Sequence, residues 1–121
     1  MDITPPKTLQ PELIRRYHHT AETGESAADA ILKYFNPCGA QTWYISEAAP
    51  VDDVGDPIPA EKAGEAADWH LFGFCDLGLG PGCAELGFVM LSDLQGVKGF
   101  AGLGIERDIN WKPVPLSDLA A

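Results

Sequence analysis

The run "IERDINWKP", Ile105–Pro113, sets two acids, an arginine, a tryptophan and a lysine within nine residues. On a strand, Glu106 and Asp108 point to one face and Arg107 to the other. Two carboxylates about 7 Å apart at their Cα atoms are the right groups to hold a divalent cation or to act as an acid–base pair. The same carboxylates can accept hydrogen bonds from Lys112 or another arginine. Arg107 in turn can grip a carboxylate such as Glu85 or Glu47 in a bidentate pair. Structural pairing is the simpler reading, because ion-pair networks reproduce the look of an active site. Trp111, beside Lys112 and a proline bend, is suited either to anchor an interface or to pack over a sheet edge.

Other reactive types are scattered. Zinc sites want ligands in close pairs such as CxxC or HxxxH. Here Cys75 and Cys83 are eight apart across a glycine turn, and Cys38, His70 and Asp76 have no close-spaced partner. His18 and His19 are adjacent, so on a helix they diverge by about 100° and cannot chelate together. The three cysteines read as small hydrophobes and reduced thiols of a cytoplasm. Cys38 follows a proline in a turn, and nothing marks its thiol as activated. "GLGPG" lacks the lysine of a phosphate loop, and "GFAGLG" has the wrong spacing for a dinucleotide fingerprint. No GxSxG is present. No catalytic residue, metal ligand or cofactor is assigned on these grounds, and the reading is of a protein that is not an enzyme.

Charge is the stronger signal. Eighteen acids against eight bases give a net charge of −10 at pH 7. Such a chain repels nucleic-acid phosphates and anionic membranes, whereas basic protein surfaces attract it in a salt-dependent way. Between Glu47 and Glu85 stand nine acids and one base, Lys62, so nine minus one leaves −8 in this third of the chain. The candidate partner-binding acids are Glu47, Asp52, Asp53, Asp56, Glu61, Glu65 and Asp68, extended by Glu106, Arg107, Asp108 and Trp111. A solvated loop that keeps the protein soluble is the competing explanation.

The elements that must position these residues are read from pattern. At 121 residues, with 45% hydrophobic and 21% charged, the chain is one domain, 1–121, with a real core. "TLQPELIRRYHH" predicts a helix capped by Thr8, with Pro11 in its first turn, and Gly24 breaks the chain beyond it. "AADAILKYF", the turn "NPCG" and "TWYIS" predict a β-hairpin. Residues 48–68, with three prolines and many small or acidic residues, predict a long loop or mobile excursion. "WHLFGFC" is apolar on both faces and predicts a central strand. The aromatic residues Trp43, Tyr44, Trp69, Phe72, Phe74 and Phe88 lie on predicted strands and read as core; single-strand nucleic-acid binding would need a basic groove. "ELGFVM" predicts another strand, with Ser92 and Gln95 as a capping box after it. "IERDINW" predicts a last strand, stopped by Pro113 and Pro115. The sum is an α+β domain: an antiparallel sheet with short helices at its ends or on one face. No run reaches the roughly 18 apolar residues of a membrane span, and the first residues have no apolar core of a secretory signal.

In chain order, "TWYISEA", "LFGFCDLG", "AELGFVMLSDL" and "IERDINWKPVPLSDL" resemble the bacterial family known as domain of unknown function 2958. The resemblance runs from about Lys33 to Leu119, with the acidic stretch as a variable insertion. It rests on Trp43-Tyr44, Glu85-Leu86-Gly87, Leu91-Ser92, Glu106-Arg107-Asp108 and Trp111-Lys112-Pro113. It implies a small cytoplasmic protein of plasmids, phages and integrated elements, and it implies no reaction. The cysteines lie outside the pattern.

Three functions are open on these grounds. The first is an interaction protein of a mobile element, whose acidic surface inhibits a basic nucleic-acid-handling host protein such as a CRISPR or restriction complex. The second is an enzyme using Glu85, Glu106 and Asp108 with magnesium, calcium or manganese. The third is a self-associating accessory of plasmid replication or transfer, a homodimer through an exposed strand edge.

Overall fold

Pro37 and Gly39 fold the chain back on itself after Phe35, and two strands of the predicted hairpin meet across that turn. The computed structural model describes residues 2–79, 84–97 and 103–119. Its strands are β1 (Asp29–Ala30), β2 (Leu32–Phe35), β3 (Thr42–Val51), β4 (Asp68–Asp76), β5 (Glu85–Met90), β6 (Glu106–Arg107) and β7 (Val114–Pro115). Helices are α1 (Gln10–Thr23), α2 (Leu91–Gln95) and α3 (Leu116–Leu119), with a 3-10 turn over Ala60–Glu65. The main sheet has five strands in the order β5-β4-β3-β2-β6, all antiparallel, and β1 pairs with β7 in a small second sheet. The α+β class and the antiparallel sheet are as the sequence predicts.

Alternation decides the core. Leu32 and Tyr34 of β2, Trp43 and Ile45 of β3, and Trp69 and Leu71 of β4 are buried on one face. Ile3, Leu13, Ile14, Leu91, Leu94 and Ile105 complete the same cluster. Burying such side chains stabilises the fold by roughly 1.5–3 kcal/mol each. The Tyr34 hydroxyl donates to the Ile3 carbonyl at 2.6 Å, which pins the N-terminal segment to the sheet. Burial pushes this phenol well above its ordinary range.

Helix α1 starts one residue later than a Thr8 cap would place it. Leu9 holds the capping position without a side-chain bond, and the Pro6 carbonyl accepts from the N–H groups of Leu9 and Gln10 instead. Pro11 does sit in the first turn, and Gly24 ends the helix at φ 77°, with its N–H on the Thr20 carbonyl. The Ser92–Gln95 capping box is also replaced. Asp93 accepts from the Met90 N–H at 3.4 Å, while the Ser92 hydroxyl and N–H both bond the Asp68 carboxylate.

Strand β3 is longer than the pattern suggests. Ala48, Ala49, Pro50 and Val51 belong to it and are buried, so the acidic connection starts at Asp52. Proline is tolerated at position 50 because its carbonyl faces away from β4, and the N–H it lacks would face the same way, so the β3–β4 ladder loses no donor. Carbonyls on this stretch are satisfied from outside the sheet: Arg16 reaches the Ser46 oxygen, and the Ile58 N–H bonds Pro50. Strand β6, by contrast, is shorter than "IERDINW". Asp108 accepts from the N–H of Asn110 and, through its carbonyl, from Trp111, and this turn ends the strand. The readings placed on Cys83 and on most of the glycines of "GLGPG" and "GFAGLG" lie outside the described residues.

Candidate functional site

The connection between β3 and β4 is built, not slack. The Asp52 carboxylate accepts from the N–H groups of Val54 at 3.1 Å and Asp56 at 2.9 Å. Its own N–H donates to the Asp56 carbonyl, and Gly55 supplies the positive φ, 89°, that closes the turn. Pro57 bridges back to Val51. The 3-10 turn then seats Ala63, with Ala66 beside it, against the core. The segment that composition marks as a mobile excursion is held at both ends and in its middle.

This scaffold sets the acids in two groups. Asp53, Asp56, Glu61 and Glu65 are exposed. The ion pairs among the described residues are Glu12 with Arg15 and Arg16, Arg16 with Asp29, and Lys33 with Asp108, so none of these four acids is neutralised by one. Asp52 and Asp68 instead serve the fold. Asp52 makes the turn, and Asp68 ties the start of β4 to the start of α2 through Trp69 and Ser92. Between this segment, the N-terminal part of α1 and α2 lies a groove of about 560 Å³, with Glu61, Lys7 and Trp69 on its walls.

Glu47 is not a surface group. It is 1% exposed, and its carboxyl accepts from the Thr20 hydroxyl at 2.8 Å and the Ala27 N–H at 3.2 Å. The cause is a β-bulge between Ile45 and Glu47, where Ser46 is the extra residue opposite β4. Such a bulge shifts the side-chain alternation by one, which strict two-residue periodicity cannot reveal.

The run from Glu106 to Trp111 begins on the edge strand β6, and its Asp108 and Trp111 meet Lys33 of β2. Asp108 lies 3.8 Å from the Lys33 amine, and its N–H donates to the Lys33 carbonyl. The amine sits 5.1 Å from the Trp111 ring centre and 5.7 Å from that of Tyr44, a cation–π arrangement. Trp111 is half-buried, and its indole N–H donates to the Ala30 carbonyl at 3.1 Å. Arg107 is paired in register with Tyr34, and Glu106 with Phe35. This run closes the sheet. Glu85 lies on β5, at the opposite edge from β6, so Glu85, Glu106 and Asp108 do not assemble into a metal site.

One feature that sequence pattern does not reveal is the β4–β5 face. His70, Phe72 and Phe74 alternate with the buried Trp69 and Leu71, and Leu86, Phe88 and Met90 stand opposite them on β5. His70 stacks on Phe88 with ring centres 4.3 Å apart, and it shares a 2.8 Å hydrogen bond with the Tyr17 hydroxyl from α1. Apolarity on both faces of "WHLFGFC" suggests full burial. In fact this face is covered at its Tyr17 end and open at Leu86 and Phe88. Burial lowers the His70 pKa from the ordinary imidazole value, and the nearby Asp68 carboxylate opposes this. The unfolded chain therefore takes up a proton before the folded one does, so His70 contributes stability above the ordinary value that is lost as pH falls through it. Urea midpoints measured at neutral and mildly acidic pH should fall more in the native chain than in His70→Asn. Equal falls would show that His70 plays no part.

Among the described residues no helix is long and apolar enough to cross a membrane. Residues 60–121 match the model of a family described as protein of unknown function, DUF2958. The match takes in β4 to α3 and the acids from Glu61 onward, and leaves Trp43-Tyr44 and Asp52–Asp56 outside it. No curated protein matches, and no solved structure does.

Proposed function

We propose a function for a chain that belongs to the DUF2958 family, a description that carries no activity: it binds a basic protein surface through the acids displayed between β3 and β4. The reading is of a protein that acts by binding and not by catalysis. The observation that carries it is the state of Asp53, Asp56, Glu61 and Glu65, exposed and outside the ion pairs of the described residues on a segment fixed by the Asp52 turn and the Pro57 bridge. Charges held in place lose little conformational freedom on binding, and complementary charge raises the association rate.

The partner class that fits is a protein whose lysines and arginines ordinarily hold nucleic-acid phosphates, since carboxylates compete for the same cations. The narrower proposal, a restriction or CRISPR complex of a host, rests on the resemblance to proteins of mobile elements. Glu47, Asp52 and Asp68 are left out of the proposed binding surface, because Glu47 is buried and the carboxylates of Asp52 and Asp68 hold backbone and serine donors of the fold. Glu106, Arg107, Asp108 and Trp111 are dropped as well, because they close the β6 edge.

Capture from a host lysate, comparing the native chain with the variant Asp53→Asn, Asp56→Asn, Glu61→Gln, Glu65→Gln, tests this. The native chain should retain a basic nucleic-acid-binding protein that high salt releases, and the variant should bind it roughly tenfold or more weakly. Equal retention by both chains would refute the proposal.

A further inference from the structure

The 3-10 turn brings small residues to the groove it shares with α1. Ala60, Ala63 and Gly64 of the turn line it together with Pro11 and Ile14 of the helix, and the space between them is about 560 Å³. That volume falls in the range of small-molecule sites, roughly 300–1,000 Å³.

Three polar groups in this groove indicate what would fill it. Trp69 is 3% exposed, yet its indole N–H bonds no acceptor among the described residues, whereas that of Trp111 holds the Ala30 carbonyl. A buried tryptophan N–H ordinarily has an acceptor. The nitrogen is not sealed inside the protein, so it opens on the groove that Trp69 lines. Lys7 and Glu61 line the same groove, and neither enters an ion pair of the described residues. Asp68 differs, because its carboxylate already holds the Trp69 N–H and Ser92. A cation and a neutral donor therefore share the groove with one available carboxylate. A simple cation would meet Lys7 as a like charge, and a simple anion would meet Glu61.

We propose that the groove binds a small zwitterion, an amino acid or a dipeptide with an aliphatic side chain. Its carboxylate accepts from the Lys7 amine and the Trp69 indole N–H, and its ammonium donates to Glu61, as charge-assisted hydrogen bonds. Its aliphatic part lies along the apolar walls. Glu61 is common to this site and to the acidic surface, but the proposal does not rest on the basic-partner reading. Asp53 and Asp56 are not in the groove, so replacing both by asparagine should weaken the basic partner and leave the zwitterion bound.

The full chain is to be titrated with leucine and with alanyl-leucine, following the Trp69 indole N–H by heteronuclear NMR. At least one of the two should shift this resonance saturably at or below millimolar concentration, and which one binds reports how far apart the two charges are held. The N-acetyl form of the compound that binds lacks the ammonium, and its amide lacks the carboxylate. Each should bind tenfold or more weakly, and so should the compound itself to Lys7→Gln or Glu61→Gln. Gly64→Leu is the decisive variant. A side chain at this position meets nothing within 4 Å, so the chain should keep its circular dichroism spectrum while the groove fills and binding is lost. The exposed Lys7 provides the same test without adding bulk. No saturable shift with either compound, or binding that the single-charge analogues and these variants leave unchanged, overturns the proposal.

Discussion

Gly73→Ala is expected to destabilise the protein by about 3 kcal/mol or more, and to leave a large share of the chain unfolded or insoluble. A methyl group at position 73 would lie 1.9 Å from the Tyr44 carbonyl oxygen and 2.8 Å from the Ile45 Cα. Both are backbone atoms of β3, so no side chain can swing aside to make room. The crowding arises where β3 bulges, since Gly73 is paired with Ile45 immediately before the register shifts. Glycine in a strand interior commonly marks such a close approach of backbones. The measurement is a thermal or urea unfolding curve beside that of the native chain. An alanine variant with a native midpoint would mean that β3 and β4 are not this close. The neighbouring glycine of β5 offers a control, because Gly87→Ala meets open space.

The second large effect concerns Glu47. Its replacement by alanine is expected to cost roughly 2–4 kcal/mol, the sum of a cavity and of donors that lose their carboxylate acceptor. The groups are the Thr20 hydroxyl and the Ala27 N–H, which converge on one carboxyl oxygen. Glu47→Gln keeps an acceptor at this position and should cost less. The distinction matters for function as well as for folding. If Glu47 belonged to the acidic surface, both variants would weaken partner binding without moving the unfolding midpoint. The structure predicts the reverse: stability falls, and the folded fraction binds as before.

These two positions also mark where the sequence was legible and where it was not. The β2–β3 hairpin could be read because aromatic and branched residues flank a turn containing proline and glycine. Helix α1 showed through its apolar stripe and its terminal Gly24. The end of β3 was hidden, because Ala48, Ala49 and Pro50 look like loop residues. Here small side chains fit a strand half that is fully buried. Glu47 was misplaced for a related reason. A bulge reverses the alternation after Ser46, and only backbone pairing discloses a bulge.

The site divided in the same manner. Charge counting found the acidic segment, since burial does not alter composition, and the structure retains Asp53, Asp56, Glu61 and Glu65 as an exposed group. It could not show that the Asp52 and Asp68 carboxylates accept from backbone and serine donors of the fold. Nor could it sort the residues of "IERDINWKP", whose contacts depend on Lys33 of β2 lying beside Asp108 and Trp111. The open face at Leu86 and Phe88 was missed because apolarity on both sides of "WHLFGFC" is equally the pattern of a strand covered on both sides. The signal that could have raised it is the uncharged "LGFVM", which gives the strand none of the charge or proline that usually protects an edge.

The most direct test of an acidic docking surface is the affinity for the captured basic partner as a function of salt, measured for the native chain and for the variant lacking charge at Asp53, Asp56, Glu61 and Glu65. Native affinity is predicted to fall steeply as salt rises, and the variant to bind weakly with a much flatter dependence. Equal slopes and equal affinities for the two chains would contradict this, and would mean that the acids between β3 and β4 do no more than keep the protein hydrated.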